Sequence, residues 1–315
     1  MHGVGQTADA VPAVLRLPES APSSLWRDAM RHLFRKRSAN VGMVILGMLL
    51  LVAIFAPLIA THDPTMVLIG VENVKKRTPP CIHALGCPAD QPEHYLGVDG
   101  NVRDLFSRIV YGSRLSLFIG FFAVGFAIII GTFLGAVVGY LGGWPDNIIM
   151  RVMDVLMAFP ALLLAIAIVT VLGPGLINAL LAIGIVSIPS YARVVRASVL
   201  SIKEQDFVTA DLALGVPSSR ILFHRILPNA LTPLIVRGTL GIATAILDAA
   251  ALSFLGLGAQ PPTPEWGSML GAERNQVFTA PHLVFFPGVA IMLTVLGFNL
   301  LGDGMRDALD PRLNR

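Results

Sequence analysis

Charge is what this sequence has least of. Asp, Glu, Lys and Arg make up 14% of its 315 residues, against roughly 25% in a soluble domain. Hydrophobic residues reach 54% and the mean hydropathy is +0.71. Too few charges remain to clothe a water-facing surface, which excludes an ordinary soluble enzyme and, for the bulk of the chain, disorder. Cysteine is limited to two residues, which excludes a disulfide scaffold. None of Lys36, Lys75, Lys76 or Lys203 follows a glycine, so the phosphate-binding GxxxxGK[ST] is missing. The doublets Gly256-Leu257-Gly258 and Gly302-Asp303-Gly304 lack the third glycine of a dinucleotide fingerprint. There is no HExxH, and the seven histidines show no ligand spacing. A catalytic site, a bound metal and a bound cofactor are therefore not expected in this chain.

What is present is long uncharged runs, as a bilayer-spanning protein requires. A helix needs roughly 20 residues to cross about 30 Å of hydrocarbon. Residues 41–60 supply one such span, and 115–145 a second that ends at Gly142-Gly143-Trp144-Pro145. The run 155–192 is too long for one helix and is interrupted by Gly173-Pro174-Gly175, a strong turn signal. It gives two spans, about 149–172 and 176–197. Residues 230–258 and 283–302 give the fifth and sixth. The expectation is an all-α membrane protein of six spans with both termini on one side.

Lysine and arginine set the orientation. Arg31, Arg35, Lys36 and Arg37 precede the first span, Arg193, Arg196, Lys203, Arg220 and Arg225 lie around the connection between the fourth and fifth, and Arg306, Arg312 and Arg315 lie in the tail. On the other side, residues 61–114 balance six basic against six acidic residues, and 259–282 has only Arg274 as a basic residue. Both termini are expected in the cytoplasm, with the first span an uncleaved anchor, because residues 1–38 lack the apolar core of a signal peptide. The layout expected is a cytoplasmic tail over 1–38, a first transmembrane helix over 39–60, an extracytoplasmic loop over 61–113, a five-helix core over 114–305 and a cytoplasmic tail over 306–315. Residues 1–22 read as disordered. Leu25, Trp26, Ala29, Met30, Leu33 and Phe34 recur at helical spacing beside arginines, which suits a helix on the inner membrane surface or an extension of the first span. No internal repeat is visible.

The segment 201–228, SIKEQDFVTADLALGVPSSRILFHRILP, is the informative cytoplasmic stretch. Phe207, Val208, Asp211, Leu212 and Leu214 suit a short helix that Gly215 ends in a left-handed turn. Pro217-Ser218-Ser219 starts a second helix running to Leu227, and Pro228 is expected to break it. A short, partly apolar helix held across the ends of two spans is either a docking site for another protein or a plain connector. The segment resembles the coupling loop of ABC-importer permeases, whose pattern is Glu-Ala-Ala, three residues, Gly, and later Leu-Pro. Gly215, Leu227 and Pro228 match; the Glu-Ala-Ala reads Thr209-Ala210-Asp211, so the glutamate's role does not transfer to Thr209.

Further stretches resemble the C-type subunits of dipeptide, oligopeptide and nickel importers. In LGVDGNVRDLFSRIVYGSRLSL at 96–117, Gly97, Asp99, Arg103 and Asp104 match the family's signature, while Val98 and Val102 replace its Thr and Gly. DNIIMRVMD at 146–154, LSFLGLGAQPPTPEWGSML at 252–270 and FPGVAIMLTVLGFNLLGDGMRDALDPRL at 286–313 match closely. The resemblance covers about residues 95–315. It implies the type I ABC-importer permease fold and a membrane subunit of an ATP-driven importer of dipeptides or short oligopeptides, in a bacterial inner membrane. The partners it implies are a B-type permease, two cytoplasmic ATPases carrying ATP and magnesium, and an external solute-binding protein, with no nucleic acid. The same machine carrying nickel or another small solute is the alternative. A stand-alone ion-coupled transporter is a second, but it needs intramembrane carboxylates, for which Asp248 and Asp154 are nearly the only candidates.

The residues expected to couple the chain to the ATPases are Thr209, Ala210, Asp211, Leu212, Leu214 and Gly215. Asp248, eleven residues after Arg237, is expected either to line the translocation path and meet a peptide's amino group, or to bond to a neighbouring helix. Asp99, Arg103 and Asp104 are candidates for contact with the binding protein. Residues 104–114 read as a helix lying on the outer interface, with Leu105, Phe106, Ile109 and Val110 on its apolar face and Asp104, Ser107 and Arg108 on its polar one. Cys81 and Cys87 fall in the outer loop, where a bridge is permitted and would close CIHALGC into a lid. The turn from Pro261 to Trp266 is expected to shape the outer mouth, with Trp266 as an interfacial anchor. Gly120, Gly125, Gly131, Gly135 and Gly139 permit close helix packing, inside the chain or against a partner.

Overall fold

The computed structural model describes residues 25–309. The expectations for 1–22 and for the tail beyond 309 lie outside the described residues. The chain is helical, with no strand among the described residues beyond three isolated bridges. Its helices are α1 (Leu25–Arg35), α2 (Arg37–Ile54), α3 (Ala56–Ile59), α4 (Leu105–Leu141), α5 (Gly143–Met157), α6 (Ala161–Leu172), α7 (Leu176–Lys203), α8 (Asp206–Ala213), α9 (Ser218–Arg220), α10 (Leu227–Phe254), α11 (Trp266–Glu273) and α12 (His282–Leu309). A π-helical stretch, Ile221–Ile226, joins α9 to α10.

Five helices are long and apolar enough to cross a membrane, and the bent pair α5 and α6 makes a sixth crossing if counted as one span. This corrects the single straight span expected over 149–172: the two halves meet at 94°. Pro160 caps α6, and a residue before proline is driven out of the helical region, so the helix ends ahead of it. A second correction concerns Pro228. It sits in the first turn of α10, where a missing N–H costs nothing, and the π-helical stretch before it keeps 218–254 in one run.

The largest correction lies at α4. The segment 105–114 is not a separate interfacial helix but the head of a continuous 37-residue helix, roughly 55 Å at 1.5 Å per residue. About 30 Å suffices for hydrocarbon, so α4 is longer than the membrane core is thick. The face expected to meet headgroups is buried, with Asp104, Ser107 and Arg108 at 0, 0 and 3% exposure.

α7 lies along α4, and small residues set their separation. A Cβ at Gly131 would sit 3.0 Å from the Ile188 carbonyl oxygen, and one at Gly135 would run into that of Ala192. Those glycines therefore pack inside the chain, whereas nothing lies within 4 Å of a Cβ at Gly125. α12 packs on α2 and α10. Leu33 of α1 packs with Ala39 and Ala308, so α1 tucks against the end of α12.

Candidate coupling loop, translocation surface and outer cap

The connection between α7 and α10 carries α8. Val208 is fully buried and faces the core with Ile221, Leu222 and Ile226, which anchors the short helix by one side. Its other side is open: Leu212 is 53% and Leu214 81% exposed, and Thr209 and Ala210 are exposed as well. Asp211 is half-buried and pairs with Arg225 at 3.3 Å. The helix ends as the sequence suggested. Gly215 stands at φ +76°, its N–H donates to the Leu212 carbonyl at 3.0 Å, and the Val216 N–H donates to that of Asp211 at 3.1 Å. This pair of reversed bonds is the Schellman arrangement. A Cβ on Gly215 would meet nothing within 4 Å, so glycine is there for its dihedral angles and not for space.

Asp248 lies on α10, half-buried, and makes no hydrogen bond or ion pair among the described residues. It borders an open cleft of about 350 Å³ together with Arg237, Thr244, Ser190 and Tyr191. Arg237 is exposed there and donates to the Ser190 hydroxyl from Nη2 at 2.8 Å and from Nε at 3.1 Å. The cleft thus carries one cation and one acid on the same helix, three turns apart. Arg237 had a sequence signal, a charge inside an apolar run, but nothing in the sequence says that α7 supplies the facing wall.

On the far side of α4, residues 60–104 form a cap over the helix head. Leu68, Val98 and Val102 are its small core. Asp99, Arg103 and Asp104, weighed as contacts for a binding protein, are 6, 7 and 0% exposed. Asp99 accepts from Arg103 at 2.8 Å and lies 3.5 Å from Arg108. The Arg108 guanidinium donates to the carbonyls of Pro64 at 2.8 Å and Pro262 at 3.0 Å, which clamps the segment before α4 and the one before α11 to one helix. Arg77 and the Gly100 N–H reach Glu273 of α11 at 2.9 and 2.8 Å. Trp266 is 1% exposed and donates to the Ile109 carbonyl at 3.1 Å, so it is a core residue and not an interfacial anchor. Cys81 and Cys87 are disulfide-bonded with Cα atoms 5.4 Å apart. Val102 adopts φ 57°. A β-branched residue there is strained, and its burial beside Leu68 and Val98 offsets the cost.

Ionisation in the cap follows from its partners. Burial opposes a charge on His94, but the carboxylates of Asp104 and Glu72 on either side outweigh it and raise its pKa. Burial also opposes ionisation of Asp104, yet bonds from His94 and Ser107 leave it below the usual carboxylate range. Burial pushes the Glu265 carboxyl up, only partly countered by the Gly267 and Ser268 amides that it caps.

Residues 108–315 match the family described as binding-protein-dependent transport system inner membrane component. The chain belongs to this family. Residues 24–80 match the N-terminal transmembrane domain of oligopeptide transport permease C. Among curated relatives, the dipeptide transport system permease protein DppC of Alkalihalophilus pseudofirmus is 49% identical, over 98% of this chain and 99% of its own length. The di/tripeptide permease DppC of Pseudomonas aeruginosa is 45% identical over 96 and 98%, and the glutathione permease GsiD of Escherichia coli 45% over 91 and 91%. The solved inward-facing MetNI methionine ABC transporter shares the fold, with a TM-score of 0.53 at 20% identity over 64% of this chain and 96% of the solved chain. The protein is thus a multi-pass inner-membrane permease subunit with the type I ABC-importer fold.

Proposed function

We propose that this chain is the C-type permease subunit of an ATP-driven importer of dipeptides or short oligopeptides. The carrying observation is the near-end-to-end 49% identity to a dipeptide permease. In this reading the chain pairs with a B-type permease and forms half of the translocation path. Two cytoplasmic ATPases supply ATP and magnesium, and an external solute-binding protein delivers the peptide. Both termini lie in the cytoplasm, in keeping with the basic residues at 31–37 and 193–225.

Each part of the chain has a stated task. Leu212 and Leu214 dock into a groove of one ATPase, and the rigid Gly215 turn passes its movement through Val208 to the bases of α7 and α10. Thr209, Ala210 and Asp211 complete that surface. In the cleft, Asp248 receives a peptide's amino group; Arg237 lies three turns away, roughly 16 Å along the helix, beyond the reach of a dipeptide of about 7 Å, and lines the path at a separate level. Asp99, Arg103 and Asp104 act by holding the cap whose outer surface the binding protein meets.

The test is uptake of a labelled dipeptide by cells lacking the gene, with and without the gene restored, with unlabelled tripeptide, glutathione and nickel as competitors. Gene-dependent uptake that peptides compete and nickel does not is expected. Gene-dependent uptake blocked by nickel alone overturns the peptide assignment.

A further inference from the structure

Four side chains far apart in sequence converge beneath the outer cap. Glu72 spans two histidines: its Oε1 lies 3.1 Å from His62 Nε2 and its Oε2 lies 3.1 Å from His94 Nε2. With both Nε2 atoms engaged by one carboxylate, the opposite edges of the two rings turn toward Asp104. Asp104 Oδ1 lies 2.9 Å from His94 Nδ1 and 3.9 Å from His62 Nδ1. The ring centroids are 5.1 Å apart. One ligand atom from each of His62, His94 and Asp104 falls within 4.8 Å of the others.

We infer that His62, His94 and Asp104 form a binding site for a divalent transition-metal cation, with Glu72 as the outer carboxylate that fixes both imidazoles. Zinc bound to imidazole and carboxylate sits about 2.0–2.2 Å from each donor, so neighbouring donors in a tetrahedral site lie roughly 3.3 Å apart; the two pairs that involve Asp104 stand at 2.9 and 3.9 Å and the whole set falls within 4.8 Å, so a small inward turn of the His62 ring completes the site. A carboxylate on the far nitrogen of a ligating histidine is the usual support for such a site, because it sets the tautomer and the ring plane. Here one glutamate does so for both rings. Once each ring gives up a nitrogen lone pair to the metal, the two carboxylates match the charge of a divalent cation.

The surroundings are built to hold this geometry. Asp104 and His94 are 0 and 1% exposed. Asp104 Oδ2 accepts from the Ser107 N–H at 2.7 Å, which leaves Oδ1 free to aim at the rings. The backbone of His94 exchanges two 2.9 Å bonds with that of Cys81, so the disulfide loop steadies it. His62 and Glu72 keep 21 and 24% of their side chains exposed, which gives a cation a way in. Thr61 Oγ1 lies 2.9 Å from His62 Nδ1, and the metal would displace its hydroxyl hydrogen bond from that nitrogen. On binding, the metal replaces the proton that joins His94 Nδ1 to Asp104, and that proton leaves to solvent. The cation would tie the start of the outer loop, its middle and the N-terminus of α4 into one joint. Linear spacing conceals the set, since positions 62, 72, 94 and 104 follow no ligand pattern.

The test uses the full-length chain, tag removed, purified with its accompanying subunits and dialysed against a chelator. Zinc is titrated calorimetrically into the wild type, His62→Ala and Glu72→Gln, and the loaded wild type is studied by X-ray absorption. One zinc equivalent per chain that His62→Ala removes is expected, with binding weakened roughly 10- to 100-fold by Glu72→Gln and nitrogen and oxygen donors near 2.0–2.2 Å. His62 is partly exposed, so its loss leaves the cap folded, which thermal unfolding checks. Equal stoichiometry and affinity in wild type and His62→Ala, no saturable binding by the wild type, or sulfur ligation would each overturn the assignment.

Discussion

Leu214→Asp, at the end of α8, separates docking from folding more cleanly than a change within that helix. Leu214 is 81% exposed and Val208 is fully buried one turn and a half earlier. Leu214 is the C-cap of α8, where a new carboxylate opposes the helix dipole by about 0.3–1 kcal/mol, a cost small enough that the variant should still reach the membrane and assemble. If Leu214 enters a groove on an ATPase, it loses the hydrophobic gain of burying a leucine, about 1.5–3 kcal/mol, before any cost of burying the new carboxylate. At about 1.4 kcal/mol per tenfold, ATPase affinity should fall at least roughly 10- to 150-fold. The assay is co-purification of the ATPases with the permease pair, followed by peptide-stimulated ATP turnover in proteoliposomes. Val208→Asp is the contrasting variant, expected to lower expression because it strikes the loop's own packing. Wild-type co-purification and stimulated turnover by Leu214→Asp would refute the docking surface.

Gly215→Ala should cost about 1–2 kcal/mol through its left-handed backbone alone, because a Cβ there meets no atom within 4 Å. Gly215→Asn, which tolerates that region better, should retain more stimulated ATP turnover than alanine, and equal loss by both would reject the turn argument. Asp248→Asn should assemble normally but take up dipeptide more slowly, and unchanged uptake would exclude a charged role. Gly135→Val drives a side chain into the Ala192 carbonyl. It should destabilise the α4–α7 pair by about 1–3 kcal/mol, read as a lower Tm of the purified complex, and an unchanged Tm would show that the pair can separate at little cost.

Much of this protein could be read directly from its residues. Scarce charge and runs of apolar residues imply membrane helices because hydrocarbon offers backbone groups no hydrogen bonds. The short helix ending at Gly215 was legible because a turn at positive φ needs glycine, and the motifs at 146–154, 252–270 and 286–313 were legible as family signatures. These are local properties, set by neighbours within a few positions.

Tertiary structure decided what depends on distant parts of the chain. The polar residues at 99–108 resembled a solvent-facing surface, yet the loops at 60–104 and 259–273 close over them and supply the carbonyls and carboxylates that let Arg108, Asp99 and Asp104 be buried. Trp266 left the membrane interface for the core because Ile109 accepts its indole N–H. The third span bent because Pro160 removed a helical option that hydropathy does not register. The joining of His62, Glu72, His94 and Asp104 is a matter of chain path alone: periodicity records which face of one helix is apolar, and carries no record of which loop folds back onto it.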